Sequence, residues 1–145
     1  MRLTRAGEYA IRCVLYLSTN RSRRIVGRKE IAEAMDIPAQ FLGKVAQNLA
    51  RAGLIDIHQG ARGGYELLIA PEELSLLRVV ECIDGEIFLN DCLHRPESCD
   101  RSPSCTVHRV WQKAREELRA TLGGISLANL ANEERPGIRS EGPSA

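Results

Sequence analysis

The feature that most restricts the fold of this chain is a proline-marked break, Asp36-Ile37-Pro38, between two short stretches of helical apolar spacing. Proline is tolerated in a first helical turn but not in a helix interior, so the chain turns here and starts again. Upstream, from about Arg28 to Met35, Ile31, Ala34 and Met35 fall on one inward face. Downstream, a helix from about Pro38 to Ala52 sets Phe41, Leu42, Val45 and Leu49 on its buried side and is stopped by Gly53. Ala39, Gln40, Gly43, Lys44, Gln47 and Arg51 then point outward.

The neighbours of this pair complete a pattern. From Leu3 to Leu17, the positions Leu3, Ala6, Tyr9, Ala10, Cys13, Val14 and Leu17 recur at the spacing of an amphipathic helix. Ile11 and Leu15 add a second apolar strip on the side that carries Glu8 and Arg12, which predicts a second packing partner. After the pair, Leu54-Ile55-Asp56-Ile57-His58 and Tyr65-Glu66-Leu67-Leu68 flank the connector Gln59-Gly60-Ala61-Arg62-Gly63-Gly64 and read as a hairpin. Helix, helix–turn–helix and hairpin, in that order, predict a winged helix–turn–helix: a mainly α fold with a small β-hairpin wing.

At 145 residues the chain accommodates one domain or two very small ones. With 43% hydrophobic and 27% charged residues it has the material for a core, and no apolar run approaches the ~20 residues of a membrane span. Met1-Arg2-Leu3-Thr4 passes straight into the first amphipathic pattern without the order of a signal peptide, so a cytoplasmic protein is expected. The net charge of +1 hides an asymmetry. Residues 1–70 carry eleven Lys/Arg against six Asp/Glu, whereas residues 71–145 carry nine against thirteen. That split predicts a basic, partner-binding half and an acidic half with another task.

In the second half, Ala70-Pro71-Glu72-Glu73 reads as the opening of a short helix holding Leu74, Leu77, Val80 and Cys82. Residues 90–105 have no periodicity and contain Pro96 and Pro103, the pattern of a functional loop. Val107, Trp111, Ala114, Leu118 and Leu122 then form an apolar seam on an otherwise polar helix, which predicts pairing with a second copy of the chain. Gly123-Gly124 ends that helix, and Ile125 to Leu130 reads as one more short one. The expected organisation is a DNA-binding unit over 1–70, a thiol loop and dimerisation helix over 71–131, and a flexible tail over 132–145.

A helix–turn–helix reads duplex DNA because its second helix fits the major groove and presents side chains to base edges from its first turns. Gln40, able to pair with adenine, and Lys44, able to donate to guanine, occupy that place. Arg23, Arg24, Arg28 and Lys29 stand where phosphate contacts are made, and Arg62 at the wing tip is placed for a minor groove. No nucleophile–base pair, phosphate loop or catalytic carboxylate pair is evident, so an enzyme is not expected.

Five cysteines, an odd number, argue against disulfide scaffolding, and Cys13 and Cys82 read as small core residues. Cys92, Cys99 and Cys105 are different: they crowd into fourteen residues, spaced by seven and six. Converging thiolates repel one another unless a cation neutralises them, and soft thiolates select zinc, copper(I) or iron–sulfur clusters. Zinc pairs are usually spaced more tightly, which tilts the reading towards an iron–sulfur cluster. Structural zinc and metal-free redox thiols stay open.

Met1-Arg2-Leu3-Thr4 with Glu8-Tyr9-Ala10, the wing Gly60-Ala61-Arg62-Gly63-Gly64-Tyr65, and the Cys92, Cys99, Cys105 loop before a Trp-bearing helix together resemble the IscR/NsrR family of bacterial iron–sulfur transcription regulators. The likeness spans about residues 1–130. It implies a homodimer that binds a double-stranded operator, read as a repressor, with a [2Fe–2S] or [4Fe–4S] cluster held by Cys92, Cys99 and Cys105. It also implies two candidates for the fourth ligand: His108, three residues after the last cysteine, or Glu8 on the first helix, donated by the other subunit. His108 ranks slightly ahead, and His94 is a weaker third. Gly43 departs from relatives that carry an acidic residue there, so their operator sequence does not transfer.

Overall fold

The computed structural model describes residues 2–134; of the expected tail, 135–145 lie outside the described residues. Helix α1 (Arg5–Thr19) begins where the Thr4 hydroxyl accepts from the Gly7 N–H at 3.0 Å, a side-chain cap on an otherwise orphaned donor. Thr4 also donates from its own N–H to Asp84 Oδ2 at 3.2 Å, pinning the start of α1 to a distant segment. Helices α2 (Arg28–Ala34) and α3 (Ala39–Arg51) flank the turn at Asp36, which takes a positive φ of 52°. Arg12 fastens that turn from below, donating to the carbonyls of Met35 and Asp36 at 3.3 Å each.

The wing consists of β1 (Ile55–His58) and β2 (Gly64–Leu67), antiparallel, with Asp56 opposite Glu66 and Ile57 opposite Tyr65. Tyr65 exchanges backbone hydrogen bonds with Val26 at 2.9 and 3.0 Å, so the segment before α2 acts as a short third strand. Gly64 makes this possible: a Cβ there would stand 2.2 Å from the Val26 carbonyl oxygen, at a φ of +153°.

Helix α4 (Leu76–Asp84) starts later than the sequence predicts, because Ser75 caps it by accepting from the Arg78 N–H, while 71–73 form a turn. After the short helix α5 (Asp91–His94) and a single 3-10 turn at Pro96–Ser98, helix α6 (Thr106–Gly123) runs for 18 residues. Ser126 then caps α7 (Leu127–Glu133) through a reciprocal capping box with Asn129.

One core gathers residues from both sides of position 70. Tyr9, Ala10, Cys13, Val14 and Leu17 of α1 pack with Ile31, Leu42, Val45 and Leu49, with Leu54 and Ile55, and with Leu74, Val79 and Leu127. The second partner expected for α1 is thus α4 together with α7.

Two inward assignments fail. Phe41 is 48% exposed, because at its place on α3 the ring leans against Tyr9, 5.8 Å between centroids, at the rim of the core. Ala34, at the last position of α2, is exposed, the chain having already begun to leave the helix towards Asp36.

Helix α6 is of another kind: no residue on it is buried. Its polar side is stapled to the body, Arg119 to Glu81 of α4 at 2.8 Å and Arg115 Nε to the Ile87 carbonyl at 2.6 Å, with Arg115 stacked over Phe88. Of the expected pairing seam, Val107 at 53% and Trp111 at 42% are exposed, with Val110 at 63% beside them, whereas Ala114, Leu118 and Leu122 are half-buried.

Candidate nucleic-acid interface and thiol centre

On α3, Gln40 and Lys44 are exposed, one turn apart, at the start of the helix that follows the turn. Arg28, from α2, lies across this helix: its Nη2 donates to the Ala39 carbonyl at 3.0 Å. A Cβ on Gly43 would meet that same nitrogen at 3.3 Å. The missing side chain at Gly43 therefore gives the guanidinium a close seat on α3, a use of this glycine that the sequence pattern did not disclose. Lys29 is fully projected, with Glu33 4.0 Å away as its i,i+4 neighbour. Arg62 is exposed on the loop between β1 and β2. Between α2, α3 and the wing runs a cleft of about 480 Å³ bounded by Arg28, Lys29, Gly43, Gln47 and the wing residues His58 to Gly60.

Two of the expected phosphate contacts are otherwise engaged. Arg23 forms a two-pronged pair with Glu30, one arm at 3.0 Å, and Glu30 also accepts from the Tyr16 hydroxyl. The guanidinium first and the phenol second hold the Glu30 carboxyl below the usual range. Arg24 reaches Glu66 at 3.3 Å but keeps most of its side chain in solvent. Arg23 is thus a brace between α1, the loop and α2 rather than an open cation.

The wing carries a polar trio that sequence reasoning missed. The ligand atoms of Asp56, His58 and Glu66 lie within 4.8 Å of one another. His58 Nε2 is 2.8 Å from Glu66 Oε2 and 3.6 Å from Asp56 Oδ2. Asp56 and Glu66 are direct cross-strand neighbours, a like-charge pairing that costs stability unless something bridges it. His58 and Arg24 do so, and their hydrogen bonds keep the Glu66 carboxyl below its ordinary range. The signal was available: alternate positions on β1 and the residue opposite share a face.

The thiols fall in three settings. Cys92 Sγ lies 3.2 Å from His108 Nδ1, bringing a thiol of α5 to the first turn of α6. Cys105 is the N-cap of α6, its sulfur accepting from the His108 N–H at 3.4 Å. Cys99 stands apart and exposed. It borders an open hollow of about 510 Å³ shared with Pro96, Glu97, Ser102 and His108. Among the described residues, no three of Cys92, Cys99, Cys105 and His108 have their ligand atoms within 4.8 Å of one another, so His108 meets Cys92 and Cys105 separately. Glu8 lies in a different hollow, with Arg2 and Arg5, and the described residues offer its carboxylate no ion pair; Arg12 is taken by the turn carbonyls instead. His94 is exposed and stacks on Phe88, 4.2 Å between ring centroids.

Cys13 and Cys82 belong elsewhere. Cys13 is wholly buried in apolar surroundings, which push its thiol up to about 12. Cys82 is half-buried, its sulfur 3.7 Å from the Asn48 carbonyl of α3, and burial raises its thiol too.

The donor set suits an iron–sulfur centre. It offers three soft thiols and one imidazole on one short stretch of chain, Cys99 and His108 bordering an open hollow, Cys92 against the His108 ring, and Cys105 where the α6 amides present partial positive charge to an anion.

The family described as "Rrf2: Iron-dependent Transcriptional regulator" matches residues 3–133. A relative from Halalkalibacterium halodurans, the HTH-type transcriptional regulator NsrR, is 30% identical over 135 residues, covering 92% of each chain. The structure of T. potens IscR superposes with a TM-score of 0.76 at 20% identity, over 98% of this chain and 94% of that one. CymR of B. subtilis, titled a global cysteine regulator, superposes with a TM-score of 0.75 at 21% identity, over 93% and 99%. At such identities the two structures speak for the fold alone, and they bear out the winged helix with its antiparallel hairpin.

Proposed function

The chain belongs to the Rrf2 family of transcriptional regulators, not to an enzyme family, and on that premise we propose a DNA-binding repressor whose grip is controlled by an iron–sulfur cluster on Cys92, Cys99, Cys105 and His108. The observation that carries this reading is the contact of the His108 imidazole with a thiol, Nδ1 lying 3.2 Å from Cys92 Sγ, on a residue that borders the same hollow as Cys99. His108 is favoured over Glu8 because its ring already touches one of the thiols, while its backbone N–H meets Cys105. Glu8, half-buried beside the hollow it shares with Arg2 and Arg5, is the competing ligand, donated by a second copy.

Gln40 and Lys44 read base edges, Arg28 and Lys29 hold phosphates, and Arg62 enters the adjoining minor groove. The unburied apolar side of α6 pairs with the same helix of a second copy, which sets the separation of two reading helices against half-sites about 34–36 Å apart. No helix among the described residues is long and apolar enough to cross a membrane, and a DNA partner places the protein in the cytoplasm.

When bound, the cluster supplies an oxidisable, dismantlable inorganic centre with one ligand weaker than the three thiolates. The chain's own residues do the relaying. Ligation by Cys105 would release its cap on α6, whose first turn holds His108. Arg115 and Arg119 join α6 to the Ile87 segment and to Glu81 of α4, and Cys82 of α4 touches Asn48 of α3, so a shift of α6 would pass along these contacts. Thiol state and DNA affinity are then linked reciprocally. The test is oxygen-free purification followed by absorption spectroscopy and iron and acid-labile sulfide assays. Iron with sulfide supports the cluster; zinc without sulfide, or bare thiols, selects the alternative regulator.

A further inference from the structure

Ser102 is a polar side chain that the fold buries and leaves without a partner. It is 8% exposed, although the residues on either side of it are open to solvent. Among the described residues its Oγ is the buried side-chain oxygen with no hydrogen bond. Shutting a hydroxyl from water unpaired costs about 1–3 kcal/mol, a cost alanine would avoid at this position. The hydroxyl therefore lacks a partner, and the residue's neighbours show what lies near it. Ser102 lines the same hollow as Cys99 and His108. Its backbone N–H donates to the Cys99 carbonyl at 3.1 Å, so the hydroxyl and the Cys99 thiol stand at the two ends of one turn. The carboxylates on this hollow, Glu97 and Asp100, are exposed and make no hydrogen bond to Ser102, and the side chains of Pro96 and Pro103 carry no acceptor.

Resting on the cluster reading above, we infer that Ser102 is a positioning residue of the thiol centre, whose hydroxyl donates a hydrogen bond to a sulfur of the bound cluster or of its Cys99 ligand. Donation to sulfur stabilises the more negative, reduced state, so the hydroxyl raises the reduction potential. Reduction adds one electron to the centre, supplied by the titrant, while the serine keeps its proton. Ser102 thereby sets how readily the centre is oxidised, without ligating it.

The experiment is a redox titration of the oxygen-free, full-length protein, wild type beside Ser102→Ala and Ser102→Thr, with resonance Raman spectra in H2O and D2O. Iron and sulfide assays on the wild type come first: their absence defeats the cluster reading, and this inference with it, before any variant is compared. Given a loaded wild type, Ser102→Ala should keep its iron and sulfide but favour the oxidised form about tenfold more at a fixed ambient potential, which is about 59 mV for a one-electron couple. It should also lose the deuterium sensitivity of the iron–sulfur stretches, and Ser102→Thr should recover both. An unchanged potential and unchanged deuterium shift in a loaded Ser102→Ala overturn the inference. If Ser102→Ala folds but holds no cluster, recovery of loading by Ser102→Thr supports the hydroxyl, and failure to recover assigns Ser102 to packing alone.

Discussion

Between Arg5 and Asp84 the chain is held by contacts between residues far apart in sequence: Val26 with Tyr65, Leu54 with Leu68, Thr4 with Asp84 and Arg12 with the Asp36 turn. Between Asn90 and Cys105 the backbone hydrogen bonds are local, each closing three or four residues on, from Asn90 with Leu93 to Arg101 with Ser104. The first region supplies nearly all the fully buried side chains; the second supplies one buried residue, Ser102, which has no partner for its hydroxyl. A region of long-range packing holds its shape whatever occurs at one point. A run of local turns costs little to rearrange, and a sensor needs that property. Under the proposed function, DNA geometry belongs to the rigid part and ligand exchange to the compliant part, with α6 between them.

The sharpest way to break this contrast is to compare stabilities. Leu49→Ala, at a fully buried position, should cost about 2–5 kcal/mol in urea unfolding. The triple replacement of Cys92, Cys99 and Cys105 by Ala, measured without metal, should cost no more than about 1 kcal/mol, the loss of the Cys105 cap on α6, while abolishing iron and sulfide uptake. A triple variant as unstable as Leu49→Ala would show the loop to be structural.

Binding offers the next largest effects. Gln40→Ala should cost about 1–3 kcal/mol and relax base preference at one position, and Lys29→Ala should weaken all sequences alike and lower the salt slope by about 1. Both are read by fluorescence anisotropy on DNA selected by the protein itself, and neither should alter iron content.

Val110→Asp on the exposed side of α6 should shift sedimentation towards the monomer with the circular dichroism of the fold retained. A variant that still dimerises would remove this face from the pairing surface.

The last effect concerns pH and is confined to the alkaline range. The Cys13 thiol is held protonated by burial, from 9.0 up to about 12, so the folded chain keeps a proton that the unfolded chain releases. Its contribution is complete below pH 9.0 and is lost as pH rises towards 12. Wild type should therefore lose stability above pH 9 more steeply than Cys13→Ala, and Cys13 should resist alkylation at a pH where exposed Cys99 reacts at once.

The rigid region was largely legible in the sequence because its constraints are periodic. Apolar positions at helical spacing around a proline-marked turn, followed by alternation around a glycine-rich connector, admit few arrangements. What escaped there were matters of neighbourhood: Phe41 at the rim against Tyr9, Gly43 making room for Arg28, Arg23 claimed by Glu30, and the Asp56, His58, Glu66 trio assembled across strands. The start of α4 escaped because Ser75 outcompeted the more conspicuous Ala70-Pro71 as the cap. The compliant region gave up its residue types but not its geometry. Spacings of seven and six between thiols impose no period, so neither the pairing of His108 with Cys92 nor the burial of Ser102 follows from them.

The direct measurement is DNA affinity of one oxygen-free preparation before and after the cluster is removed by chelation, with the triple cysteine variant alongside. The account predicts a change of at least about tenfold in wild type, 1.4 kcal/mol of coupling, and none in the variant. Equal affinities for the loaded and stripped wild-type protein would contradict it.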